Sequence, residues 1–239
     1  MSSSGHLELL PRLLRFERGG LDPELRKSFD VALHAGTAAA LALALRSEVA
    51  EVVRGLDRQR LLAVALTFAP AGVAGALFER RVERRLGSRR SVALAQIGAG
   101  VALAAADQRR AVRSQSDARA LDHLLIGAAQ AAALVPGVSR GGATLTAARS
   151  LGFERRAASV LSRHAAFPVI GGATALKGLR LARRGLDREL RRPFAAGAVA
   201  AFASTLASAP LVGRMDRARS YLPIAAYRVA LGALALFTG

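Results

Sequence analysis

The chain has no cysteine and no tryptophan, only two tyrosines, and 17 acidic residues against 35 basic ones. Without cysteine there is no disulfide framework and no thiolate metal site. That absence decides nothing about compartment, and no secretory signal peptide is expected. The shortage of acids leaves a formal net charge of +18 over 239 residues. In a soluble protein such a balance would point to nucleic acid. Here the charge is segregated: arginines crowd into 46–60, 80–90, 109–119 and 177–192, and the stretches between carry almost none. Basic clusters that cap apolar segments suit anionic lipid headgroups, so membrane lipids are expected partners and nucleic acid is not.

The chain is 52% hydrophobic with a mean hydropathy of only +0.28, but the average conceals long apolar runs. Phe194–Gly213 contains no charged residue, and neither does Leu61–Phe78. Further runs lie at Val31–Leu45, Ser91–Ala106, Ala165–Leu176 and Val229–Thr238. Several approach the length that crosses roughly 30 Å of hydrocarbon. The pattern predicts an all-α fold, a polytopic integral membrane helical bundle. Nearly every loop is basic, so the positive-inside rule fixes no orientation.

One segment breaks the apolar pattern. Residues 136–144 read Pro-Gly-Val-Ser-Arg-Gly-Gly-Ala-Thr, between apolar 124–135 and the helix-like stretch 144–148. Pro beside Gly stops a helix, and a buried arginine is costly. A hydroxyl, a guanidinium and two glycines at the start of a new helix form an anion site, where free backbone N–H groups and the positive end of the dipole meet the ligand. At membrane depth such a break survives only where protein shields it or a cavity adjoins it.

The stretch 107–120 reads as a polar linker and is the natural midpoint. It divides a single membrane domain into a first half, 1–106, and a second, 121–239. The halves echo one another. Ser3-Ser4-Gly5 is followed by Arg15-Phe16-Glu17 and His34; Ser139-Arg140-Gly141 is followed by Phe153-Glu154-Arg155 and His164. Chance likeness in an Ala/Leu/Arg-rich chain is one explanation. The other is an internal repeat that sets broken helices face to face near the midplane. That arrangement would bring Ser4 and His6 toward Ser139 and Arg140.

Taken together, Ser2-Ser3-Ser4-Gly5-His6, Phe29–Thr37, Ile126–Gln130 running into Pro136–Thr144, Gly172–Leu176 and Leu222–Arg228 closely resemble the undecaprenyl-diphosphate phosphatase (bacitracin-resistance protein) family, over nearly the whole chain. The resemblance implies two inverted repeats with two re-entrant helical hairpins in a multi-pass protein of the bacterial cell (inner, plasma) membrane. It implies hydrolysis of a polyprenyl diphosphate carrier to the monophosphate, which recycles the carrier for cell-wall synthesis and underlies bacitracin resistance. A homodimer is left open. So are two other functions: a polyprenyl-phosphate transporter or flippase, and an inactive relative that only binds the lipid.

Carried onto this chain, the family's motif makes His6, Ser139 and Arg140 the catalytic candidates. Ser3, Ser4, Gly5, Gly137, Gly141, Gly142 and Thr144 become candidate substrate-binding residues. Arg140 suits a bidentate phosphate clamp, and an interfacial snorkelling arginine is the plainer alternative. The nucleophile is either His6 or Ser139, and a serine would need a base within reach. Thr144 either donates to a phosphate oxygen or bonds back to the preceding turn. Gln130 is either near the site or a polar helix–helix contact. Arg163 and His164 depart from the family's usual apolar residues and are candidates for an added phosphate contact, a pairing with an acid such as Asp30, or an altered substrate.

The resemblance also implies catalysis with a divalent cation, Mg²⁺ or Ca²⁺. The family's acidic ligands lie just upstream of its Ser-Ser-Ser-Gly-His motif, and this chain begins at Met1, directly before Ser2. No metal ligand is therefore assigned. Met1 stands where the family commonly has valine, so the expectation is a start called at an internal GTG codon and a longer natural protein.

Overall fold

The computed structural model describes residues 6, 9, 23–185, 187–216 and 219–237. The regular elements among them are helical: α1 (Pro23–Ala44), α2 (Arg46–Arg54), α3 (Arg58–Leu86), α4 (Arg89–Asp107), α5 (Ala120–Ala131), α6 (Arg140–Ser150), α7 (Arg155–Arg184), α8 (Arg188–Asp216) and α9 (Leu222–Phe237). Short 3₁₀ turns occur at Gln115–Asp117 and Ala132–Leu134. The helices begin and end near the predicted apolar runs, and the predicted break is present between α5 and α6.

Helix α3 has 29 residues, about 43 Å at 1.5 Å per residue, which exceeds the hydrocarbon thickness. Among the described residues α3 and the segment Arg188–Leu211 of α8 are both long and apolar enough to cross a membrane. Their apolar side chains face outward: Leu61, Leu62, Phe68, Val73, Leu77 and Phe78 in α3, and Val199, Leu206 and Leu211 in α8. Water would not tolerate so much exposed apolar surface. This is a membrane protein.

The chain forms two compact units, and each draws on both sides of the 107–120 segment. One comprises Arg18–Arg60 and Phe167–Met215. Within it Gly36 of α1 lies where a Cβ would run into the Ala198 carbonyl of α8. Phe29 meets Phe194 edge to face, with centroids 5.3 Å apart. His34 donates through Nδ1 to the Asp30 carbonyl at 2.6 Å, a bond within its own helix.

The other unit comprises Met1–Glu17, Leu61–Ala166 and Asp216–Gly239, and it contains the break. Helices α4 and α9 run antiparallel, with Gly232 against Ala93 and Gln96 and Gly100 against Ala225 and Arg228. Val92, Ala93, Leu231 and Ala235 form a core there with Leu9. Helix α6 packs against both α4 and α5.

One carboxylate ties the ends of these helices. Asp107, the last residue of α4, is fully buried. Its Oδ1 accepts from Arg155 Nε of α7 at 2.7 Å and lies 3.4 Å from Arg149 Nε of α6. Its Oδ2 accepts from the Tyr221 backbone N–H at 2.7 Å and the Ser220 hydroxyl at 3.1 Å, just before α9. The neighbouring stretch, read from sequence as a linker, is itself packed: Arg113 pairs with Asp122 at 2.6 Å and covers the buried Phe153 ring at 4.2 Å. Burial alone would raise the Asp107 pKa, but the hydrogen bonds from Arg155, Tyr221 and Ser220 outweigh it and hold the group below its ordinary value.

A carboxylate whose pKa is lower in the folded chain stabilises the fold above its unfolded pKa, and that contribution fades as the pH falls through the folded value. Asp107→Asn should therefore cost about 3 kcal/mol in thermal unfolding at neutral pH, as expected for removing one partner of a buried ion pair. The gap between wild type and variant should begin to shrink below about pH 4, where the unfolded chain takes up its proton, and close further as the pH falls through the lower folded value. A gap that is constant with pH would mean that the charge is not the source.

Candidate active site

The break is built by its own sequence. After the turn at Ala132–Leu134 the chain leaves helical geometry at Val135, and Val138 N–H returns to the Val135 carbonyl at 3.0 Å. Gly137 has φ +99°, a left-handed conformation that glycine adopts without strain. A Cβ there would also meet the Val92 carbonyl of α4. Ser139 is the N-cap of α6: its Oγ accepts the Gly142 N–H at 3.1 Å. The capping serine is 3% exposed, so this helix start is shielded by protein, as a break at membrane depth requires.

Two guanidinium groups come to this turn. Arg140, the first residue of α6, has a buried Nη1 with no hydrogen-bond partner among the described residues. Arg228 of α9 is 1% exposed. It donates through Nη2 to the Gly137 carbonyl at 3.2 Å, while its Nε has no partner among the described residues. A Cβ on Gly142 would lie 2.5 Å from Arg228 Nη1, so the second glycine of the pair makes room for that guanidinium. No ion pair joins either arginine to an acid among the described residues. Sequence reasoning gave Arg228 no role, although a lone charge in the apolar run 222–237 was a usable signal.

The other sequence-derived candidates fall as follows. His6 belongs to this unit: its Nε2 is 2.8 Å from the Tyr227 hydroxyl and the rings stack at 5.7 Å, beside Arg228 in the chain. Ser139 and His6 share no hydrogen bond in the described structure, in which the Ser139 oxygen caps α6. Thr144 is buried; its hydroxyl bonds back to the Arg140 carbonyl at 3.0 Å and lies 2.6 Å from Ser162 Oγ. Gln130 reaches across to α3, donating to the Thr67 carbonyl at 3.4 Å, where Gly127 also lies against α3. Arg163 donates to Ser159 Oγ within α7 at 3.0 Å. Gly141 faces open space, with only Ser162 Oγ at 4.0 Å from a Cβ built there. Ser3, Ser4 and Gly5 lie outside the described residues.

The donor set at the break is guanidinium, hydroxyl and backbone N–H, which suits an anion. A hard divalent cation wants several oxygen ligands, with carboxylates foremost. Among the described residues no group of three or more His, Cys, Asp or Glu could hold a metal ion. The residues described at the break do not fit the expected cation.

With the geometry in place, comparison with known proteins assigns the class. Residues 1–234 match the family described as bacitracin resistance protein BacA, and the chain belongs to that family. It is 35% identical to undecaprenyl-diphosphatase 1 of Paraburkholderia xenovorans (strain LB400), covering 100% of this chain and 88% of the relative. It is 36% identical to undecaprenyl-diphosphatase of Geobacter sulfurreducens, covering 99% and 90%. To undecaprenyl-diphosphatase of Dinoroseobacter shibae it is 37% identical, covering 99% and 91%.

Gly142→Ala tests the fit of Arg228 to the break. The added methyl would displace the end of a flexible side chain, so the fold should hold to within about 1 kcal/mol. Stabilisation of the protein by inorganic phosphate, read as a thermal shift, should drop sharply. An undiminished shift would separate Arg228 from the anion site.

Proposed function

We propose that this chain hydrolyses a polyprenyl diphosphate, of the undecaprenyl class named in its relatives, to the monophosphate and inorganic phosphate. The observation that carries the reading is a pair of arginines at one capped helix start, the buried Arg228 and Arg140 with its buried Nη1, neither with a carboxylate partner among the described residues. Burying a charge without a counter-ion costs several kcal/mol, and an anionic ligand held between the two removes that cost. The first amides of α6 and its positive dipole end add to the same field.

In the reaction, water supplies an oxygen to the terminal phosphorus. The bond from that phosphorus to the bridging oxygen breaks, and the electron pair stays on the monophosphate. Negative charge grows on the bridging oxygen, and Arg140 and Arg228 are the groups able to stabilise it there. His6 or Ser139 takes part in the attack. Ser139 holds its oxygen at the helix start, and His6 sits against Tyr227, next to Arg228. A lipid substrate suits a site in a membrane protein, because the prenyl chain stays in hydrocarbon while the diphosphate meets the break.

The protein spans the bacterial inner membrane several times, with inverted repeats and two re-entrant hairpins. Support for the second hairpin comes from α5 and α6, which pack on each other across the break. Anionic headgroups are suited to the exposed arginines 80, 81, 84 and 85, which with Leu77 line a groove of about 650 Å³ at the end of α3.

Phosphate release from farnesyl diphosphate or a C55 diphosphate by the purified chain tests the assignment. Arg140→Ala and Arg228→Ala should each lower kcat/KM by about 100-fold or more, the scale for loss of one charge-stabilising donor. Turnover that survives both substitutions would overturn the clamp, and no release by the wild-type chain under any ionic condition would overturn the activity.

A further inference from the structure

Gln96 is a glutamine where the packing calls for a hydrocarbon. It sits in the middle of α4, is 0% exposed, and neither its amide nitrogen nor its amide oxygen has a partner among the described residues. An unpaired buried amide is costly, so a leucine or methionine at this position would favour the fold. On its own face of α4 the neighbours Val92, Ala93, Gly100 and Leu103 are all small or apolar.

Its surroundings give the amide a use. A Cβ on Gly232 of α9 would lie 3.3 Å from Gln96 Cβ, and Arg228 is one helical turn away on that face. One turn along α4 in the other direction, a Cβ on Gly100 would lie 3.2 Å from Arg228 Cβ. On the adjoining side Gly137 of the break rests on Val92 and Ala95. Gln96 thus stands at the corner where α4, α9 and the break meet, and Arg228 is the side chain that bridges the last two. Among the described residues the Nε of Arg228 lacks an acceptor, and the Oε1 of Gln96 lacks a donor.

We propose that Gln96 is a positioning residue for Arg228. Its amide oxygen takes the Nε–H edge of the guanidinium, which leaves Nη1 aimed at the diphosphate while Nη2 holds the Gly137 carbonyl. A neutral acceptor suits this role: it orients the guanidinium and leaves its full charge for the phosphates, whereas a carboxylate would neutralise it. The inference rests on the reading of the break as the diphosphate site.

The test uses the full chain with Gln96→Met, which keeps the length of the side chain without the amide. Gln96→Leu is a second variant should methionine disturb the close α4–α9 packing. The unfolding temperature of Gln96→Met should equal or exceed that of wild type, while kcat/KM on farnesyl diphosphate falls at least tenfold, mostly in kcat. The thermal shift induced by inorganic pyrophosphate should shrink in parallel. In an Arg228→Lys background, which has no Nε–H edge, Gln96→Met should cause little further loss of that shift. A purely structural glutamine would give the opposite pattern, with kcat unchanged or with equal losses in both backgrounds, and either result overturns the proposal. If Arg140→Ala and Arg228→Lys keep the full pyrophosphate shift, the diphosphate reading falls and Gln96 with it. If they lose it while Gln96→Met keeps it, only the role of Gln96 falls.

Discussion

The buried carboxylate of Asp107 is the constraint on which the geometry of the site depends. It holds the end of α4, the arginines near the end of α6 and the start of α7, and the first amide before α9. Helices fixed at one end and packed along their length have little freedom at the other. Arg140 leads α6 and Arg228 lies midway along α9, so the carboxylate indirectly sets how the two helices that carry these arginines stand at the break. A single neutral substitution would leave Arg149 and Arg155 with surplus charge at a buried junction.

At the break the balance is reversed. Asp107 is an anion with several cationic and N–H donors; the turn at 136–144 gathers cations with no anion of its own. Close packing leaves this arrangement little means of relief. Gly232 and Gly100 bring α4 and α9 nearly backbone to backbone, and Gly137 rests on α4. The Arg228 guanidinium lies buried among those contacts. A ligand of matching charge is therefore the natural completion of the site, and membership of a family with named diphosphatases supplies its chemistry.

Much of this was legible in the sequence, for physical reasons. The apolar runs fixed the helices because covering them with lipid or protein is the dominant energetic demand. Pro136-Gly137 and Ser139 marked the break because a helix start needs a stop before it and a cap at it. The rest depended on contacts distant in the chain. Asp107 meets Tyr221 across 114 positions, and nothing local distinguishes it from any acid at a helix end. The stretch 107–120 read as a linker because it is polar, yet its polarity is spent on Arg113–Asp122 and on cover for Phe153. Arg228 carried a signal, a lone charge in an apolar run, whereas Gln96 carried none. The hydroxyl of Thr144 read equally well as a phosphate donor or as a back-bond; it bonds back to Arg140.

The most direct measurement is a crystal structure of the chain soaked with tungstate, a heavy tetrahedral oxyanion located by its anomalous signal. The account predicts one strong peak within hydrogen-bond distance of both Arg140 Nη1 and the Arg228 guanidinium, beside the first turn of α6. Peaks confined to the exposed arginine clusters, with none between those two side chains, would contradict it.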